Sequence, residues 1–252
     1  CVVSGASAGI GEAVARSLVA DGARVVVNGR RAARLEALRE ELGGERVAVS
    51  AGDASEDSSV AAMLDTAREA FGREADLVVV NAGRGLKGSL FDSDPAQWES
   101  MVRLNVLGAA RLMRAAGERM VAMGPDASEG DAWLRALARD IVVLGSTVGR
   151  HISPFSSMYG GTKFAVNSYA EALRRELGPR GIRVTLIEPA VVKSEFQDSA
   201  GYDPEGFGAF MDRIGPVLAP EDVARCVAFA VTQPVGVHVN DIVVRPTRQE
   251  YP

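Results

Sequence analysis

Residues 5–11 read Gly5-Ala6-Ser7-Ala8-Gly9-Ile10-Gly11 and lie between a short apolar run, Val2-Val3, and a stripe of Ile10, Val14 and Leu18 at helical spacing. Without side chains at positions 5, 9 and 11 the backbone can turn tightly and approach a ligand, and the unpaired N–H groups at a helix start favour a pyrophosphate. A glycine-rich turn from strand into helix opens the βαβ units that bind dinucleotides. No Lys follows Gly11, so this is not a nucleoside-triphosphate loop, and the spacing also differs from G-x-G-x-x-G. Turns of this kind also serve packing alone, so its meaning depends on the rest of the chain.

Outward from the turn the alternation continues. Short apolar runs at 24–28, 47–50, 77–80, 141–144, 182–187 and 239–244 predict six further strands. Between them, apolar positions recur at helical spacing: Leu35, Leu38 and Leu42; Val60, Met63, Leu64, Ala67 and Phe71; then Asp94-Pro95 as cap and first turn of a long helix through Trp98, Met101 and Leu112. Further helices are predicted over about 158–177 and from Pro220. This pattern predicts one α/β domain over 1–252, a Rossmann-type doubly wound fold with a mostly parallel seven-stranded sheet and helices on both faces. Two stretches interrupt it. In 124–140, Ser128 and Asp131 form a capping-box-like start before Trp133, Leu134 and Leu137, which predicts a helical surface insertion. In 193–216, Phe196, Tyr202, Phe207, Phe210 and Met211 lie among glycines, which predicts a lid over a substrate.

Composition narrows the function. With 47% hydrophobic residues in 252, the chain can bury a sizeable core. Its net charge of -5 supplies no basic field, so neither nucleic acid nor an anionic membrane is expected as a partner. No apolar run approaches the ~18 residues of a span. Cys1, Cys226, His151 and His238 stand isolated, so neither a disulfide framework nor a metal site is expected, and a reducing cytoplasm fits. The chain opens at Cys1 already at a strand, which leads us to expect that residues precede it.

Three groups carry chemistry. After the second strand, where many dinucleotide sites place an acid for the ribose hydroxyls, stand Arg30 and Arg31. Guanidinium groups there suit a 2′-phosphate, which favours NADP(H) over NAD(H). Next comes Tyr159-Gly160-Gly161-Thr162-Lys163. With four Tyr and three Lys in the chain, a chance Tyr-x-x-x-Lys is expected roughly 0.05 times, so coincidence explains it poorly. On a helix the two share a face, and an ammonium beside a phenol of ordinary pKa about 10 would lower that pKa toward neutrality. Ser146, thirteen residues upstream, follows the fifth strand at its carboxyl end, where ligands of open α/β sheets bind.

Together these residues resemble the short-chain dehydrogenase/reductase family in its short single-domain form. Its T-G-x-x-x-G-x-G motif corresponds to residues 4–11, with Ser4 for Thr; its N-N-A-G signature corresponds to Asn81, Ala82 and Gly83 after Val80. The resemblance implies a tetrad of Asn105, Ser146, Tyr159 and Lys163, with Asn105 holding a water in a proton relay to the Lys. It implies cofactor contacts at Gly5, Ser7, Ala8, Gly9, Ile10, Gly11, Arg30, Arg31, Asp53, Ala54, Asn81, Ala82, Gly83, Tyr159, Lys163, Pro189, Val192 and Ser194, with Asp53 beside the adenine. Ala190 departs from the family's glycine, and 41 residues separate Asn105 from Ser146, longer than the resemblance implies; the excess falls on 124–140.

The implied activity is hydride exchange between NADP(H) and a carbonyl or alcohol substrate, with Tyr159 as general acid/base. A homodimer or homotetramer built on the long helices containing Asn105 and Tyr159 is also implied. Expected substrate walls are Leu86, Leu90, Phe91, Val148, His151, Ile152 and Phe155, together with the lid. Five acids against two bases between Lys193 and Arg213 disfavour an acyl-carrier or coenzyme-A thioester and leave a small to medium, partly apolar ketone or aldehyde. The ending Val244-Arg245-Pro246-Thr247 resembles some NADP-dependent 3-hydroxy-acid and aldehyde reductases. The alternatives are a non-catalytic dinucleotide-binding regulator and an epimerase or dehydratase on a related fold.

Overall fold

Valines alternating along the strands divide the interior into two cores. The computed structural model describes residues 1–125, 127 and 130–251. Its strands are β1 (Val2–Val3), β2 (Val25–Gly29), β3 (Val47–Ala51), β4 (Leu77–Val80), β5 (Arg139–Leu144), β6 (Ile182–Pro189) and β7 (Asp241–Val244). Successive side chains of a strand point to opposite faces. Val2, Val26, Val78, Ile141 and Val143 therefore face one way, against α3 (Asp57–Phe71), α5 (Ala109–Ala122) and α6 (Ser157–Leu177). Val3, Val25, Val27, Val79 and Val142 face the other, against α1 (Gly9–Ala20), α2 (Ala32–Leu42) and α9 (Pro220–Val231). Burial on both faces explains why the strands are almost continuously apolar.

The seven strands lie in the order β3-β2-β1-β4-β5-β6-β7. All six pairings are parallel, so the sheet is wholly rather than mostly parallel. The winding reverses between β1 and β4, which opens a crevice at the carboxyl ends of the strands. No helix among the described residues is long and apolar enough to cross a membrane.

Two expectations need correction, the start of the fifth strand and the form of the insertion. Strand β5 begins at Arg139, so Arg139 and Asp140 are buried strand residues and not the end of an insertion over 124–140. Their charges hid them from an apolar pattern; Arg183 of β6 meets Asp140 through Nε at 2.7 Å and NH2 at 2.8 Å, while Arg139 donates to the carbonyls of Met120, Pro125 and Arg180. Among the described residues the insertion holds a 3₁₀ turn, Asp131–Arg135, and no α-helix; Ser128 of the predicted cap lies outside the described residues. The long helix starts as expected, the Asp94 carboxylate accepting the Ala96 N–H. It then runs through α4 (Trp98–Val102) and a π-helical turn, Arg103–Gly108, before α5.

Candidate active site

At the glycine turn, Gly5 and Gly9 have φ of +69° and +58°. A Cβ on Gly5 would lie 2.8 Å from the Ala82 backbone, and one on Gly11 would lie 2.4 Å from the Gly5 carbonyl oxygen. Gly11 is thus a packing glycine inside the turn and does not line the cleft, whereas Gly5, Ser7, Ala8, Gly9 and Ile10 do. No side chain caps the start of α1, which leaves its first N–H groups free for an anion. Ser4 ties the turn to the chain after β4: its Oγ accepts from the N–H groups of Asn81 and Ala82, and Asn81 Nδ2 donates to the carbonyls of Ser4 and Gly5. A cradle that side chains would fill, next to uncapped N–H groups, fits the pyrophosphate of a dinucleotide.

One cleft of about 1740 Å³ joins this turn to the lid. Asp53, Ala54, Asn81, Ala82, Gly83, Pro189, Val192 and Ser194 line it as expected. Arg30 and Arg31 also reach it but differ in state. The Arg30 side chain is 72% exposed, its nearest acid being Asp53 at 3.8 Å. Arg31 donates through Nε and NH2 to the Ser7 Oγ and through NH1 to Glu195. Burial pushes the Asp53 carboxyl up, but the Ser55 N–H and hydroxyl together with Arg30 hold it below the usual carboxylate range.

At the other end, Ser146, Tyr159 and Lys163 converge on the cleft. Tyr159 and Lys163 lie one turn apart on α6, with the ammonium 5.9 Å from the phenol ring centroid. Lys163 donates to the Leu144 carbonyl at 2.7 Å, and burial lowers its pKa to about 8. The phenol is pushed above its ordinary value, chiefly by burial and further by Tyr202, with hydrogen bonding to Ser146 pulling it back. Among the protein's own groups, burial is thus the largest influence on the phenol. The phenol is therefore protonated at neutral pH, as a proton donor must be.

Asn105 does not line the cleft. It sits buried on the π-helical turn, its Oδ1 accepting from the Arg84 N–H at 2.9 Å and its Nδ2 donating to the Arg84 carbonyl and the Thr162 hydroxyl. Thr162 in turn donates to the Tyr159 carbonyl at 2.7 Å. Asn105 thus joins the segment after β4 to the turn that carries Tyr159.

Several expected substrate walls are elsewhere. Leu86 is buried, while Leu90, Phe91 and Ile152 are exposed outside the cleft. His151 is also outside, against Tyr251 and Arg245. Val148 and Phe155 do line it, with Phe196, Tyr202, Phe207 and Phe210 from the lid, which folds as α7 (Phe196–Ala200) and α8 (Pro204–Ile214). The Phe196 ring lies 5.4 Å from that of Tyr159. A further wall, the tail at 247–251, carries no local motif that marks it; there Gln249 accepts the Val191 N–H.

Residues 1–205 match the profile of the short chain dehydrogenase family. An uncharacterized oxidoreductase of Staphylococcus aureus strain MW2 is 33% identical over 245 residues, covering 97% of this chain and 96% of that protein. Among solved structures, a serine dehydrogenase complexed with NADP+ in its closed form is similar, with a TM-score of 0.84 and 29% identity over 99% of this chain and 96% of that one. A Brucella melitensis 3-ketoacyl-(acyl-carrier-protein) reductase complexed with NADH also superposes, with a TM-score of 0.84 and 26% identity over 98% and 96%.

Proposed function

This chain belongs to the short-chain dehydrogenase family and is an oxidoreductase; on that premise we propose that it uses NADP(H) to interconvert a carbonyl and an alcohol on a small to medium, partly apolar substrate. The observation that carries the reading is the convergence of Ser146, Tyr159 and Lys163 at the carboxyl end of the sheet, in one cleft with an uncapped glycine turn.

Bound NADPH supplies the hydride. The chain's residues do the rest. Tyr159 donates its phenolic proton to the substrate oxygen, and Ser146 Oγ hydrogen-bonds the same oxygen and holds it in line. Lys163, with one of its three donors on Leu144, offers the others to ribose hydroxyls. Phe196, Tyr202, Phe207 and Phe210 exclude water, and with Phe155 they favour an apolar substrate body. The excess of acids over bases along the lid disfavours a polyanionic carrier, so the likeness to an acyl-carrier reductase is not carried over to the substrate. A spectrophotometric screen of NADPH oxidation over aldehydes, ketones and keto acids tests the proposal; a family of turned-over carbonyls supports it, and none across the panel refutes it.

Cofactor choice rests on this chain's residues, because similar structures hold either NADP+ or NADH. A guanidinium bond to a phosphate contributes about 1.5–3 kcal/mol. Arg30→Asp is therefore expected to weaken NADPH binding by about 10- to 100-fold while sparing NADH, as read by titration of nicotinamide fluorescence. Unchanged preference would remove Arg30 from the site.

We also propose a cytoplasmic homodimer or homotetramer. Leu107 on the π-helical turn and Phe164 and Tyr169 on α6 are large apolar groups left exposed on the two long helices. Sedimentation should give two or four chain masses, and Phe164→Glu should shift it toward the monomer; a monomeric wild-type protein refutes this.

A further inference from the structure

Glu195, in the lid segment, reaches back to the arginines at the nucleotide end of the cleft. Its Oε2 accepts from Arg31 NH1 at 2.7 Å and its Oε1 from Arg34 NH1 at 2.6 Å. Arg31 is otherwise committed to Ser7, through Nε and NH2 to the hydroxyl and through NH2 to the carbonyl. A guanidinium has five N–H donors, and most of those on Arg31 are already spent. A phosphate can claim Arg31 fully only by taking the place of Glu195. The two guanidinium groups hold the Glu195 carboxyl below the usual carboxylate range, so it competes as an anion at any neutral pH.

The next residue links this contact to the reaction end. Phe196 begins α7 and packs its ring on Tyr159. It also covers Gly85, where a Cβ would meet the ring at 2.5 Å. The turn is braced from below: Gln197 Nε2 donates to the Val192 carbonyl, and Ser194 Oγ accepts the Phe196 N–H. Glu195 and Phe196 thus tie the nucleotide end and Tyr159 to one short turn.

We propose that Glu195 is a specificity-determining residue for the cofactor: its carboxylate holds Arg31 where a 2′-phosphate would bind, so that a 2′-phosphorylated nucleotide, and not its unphosphorylated counterpart, releases the first turn of the lid. This rests on the NADP(H) reading above. Discrimination then involves both attraction by Arg30 and Arg31 and an internal anion that only a stronger anion displaces. The consequence reaches Phe196, so the phosphate far from the nicotinamide influences how Tyr159 is covered.

The test uses adenosine 2′,5′-bisphosphate and adenosine 5′-monophosphate as probes, by calorimetry and by hydrogen exchange of the amides at 194–201. The wild type should prefer the bisphosphate, and the bisphosphate alone should speed exchange at 194–201. Glu195→Gln removes the competing charge at an exposed position and should bind the bisphosphate about two- to fivefold tighter, the size of one exposed charge pair, with the monophosphate unchanged. Its exchange at 194–201 should already be fast without a nucleotide. Asp198→Asn removes the same charge from the same turn and should change neither quantity. Equal tightening in Asp198→Asn, or bisphosphate binding that leaves exchange at 194–201 as it was, overturns the proposal while leaving NADP(H) standing. Equal affinity of the wild type for both probes overturns the NADP(H) reading and this inference with it.

Discussion

Tyr159→Phe is expected to lower carbonyl reduction by about 10²- to 10⁴-fold, the contribution of a positioned general acid, while NADPH binds as before. The substitution keeps the ring that packs on Phe196 and removes only the hydroxyl beside Ser146. Stability should therefore change little, and a loss of turnover reads as lost proton donation. Single-turnover kinetics with saturating NADPH, alongside a binding titration, separate the two. Retained turnover would move the proton source elsewhere. A wild-type protein that binds NADPH tightly but reduces nothing would favour the regulator reading, and retained cofactor with no net NADPH consumption would favour an epimerase or dehydratase.

Arg183→Met should be the most destabilising single change away from the cleft, at about 3–5 kcal/mol, the range for removing one partner of a buried ion pair. Arg183 holds Asp140 with two bonds and also donates to the carbonyls of Val231, Gln233, Pro234 and Val237. It thereby fastens β5 and β6 to the end of α9 and the approach to β7. Loss of the cation leaves a buried carboxylate whose pKa burial already raises. Urea unfolding monitored by circular dichroism measures the loss. The double variant Arg183→Met, Asp140→Leu should recover a large part of it, because no lone charge remains. A single variant within 1 kcal/mol of the wild type would show that the pair is not what holds this end of the sheet.

The fold was legible because each decisive signal was local. Val2-Val3 before the glycine turn, valine-rich runs of strand length, and helical stripes such as Ile10, Val14 and Leu18 each depend on neighbours within a few residues. Where charge broke the pattern the reading failed: Arg139 and Asp140 belong to β5 because partners from β6 and the α5 end neutralise or satisfy them. The lid helices were hidden for a related reason, their glycines and aromatics giving no clean period.

The sequence by itself determined which groups exist and their spacing along the chain: the glycine turn, the arginine pair, and a tyrosine and lysine one helical turn apart. Only the tertiary structure decided what each of them faces. It set Asn105 behind the cleft on a π-helical turn, turned Leu90 and Phe91 outward, brought the tail at 247–251 in as a wall, and gave Arg31 to Glu195 across 164 positions. The physical reason is that backbone preference acts over one or two turns, whereas desolvation and ion pairing depend on which distant surfaces meet. The rise in the Tyr159 pKa belongs to the second kind: it comes from burial, which no spacing between a tyrosine and a lysine records.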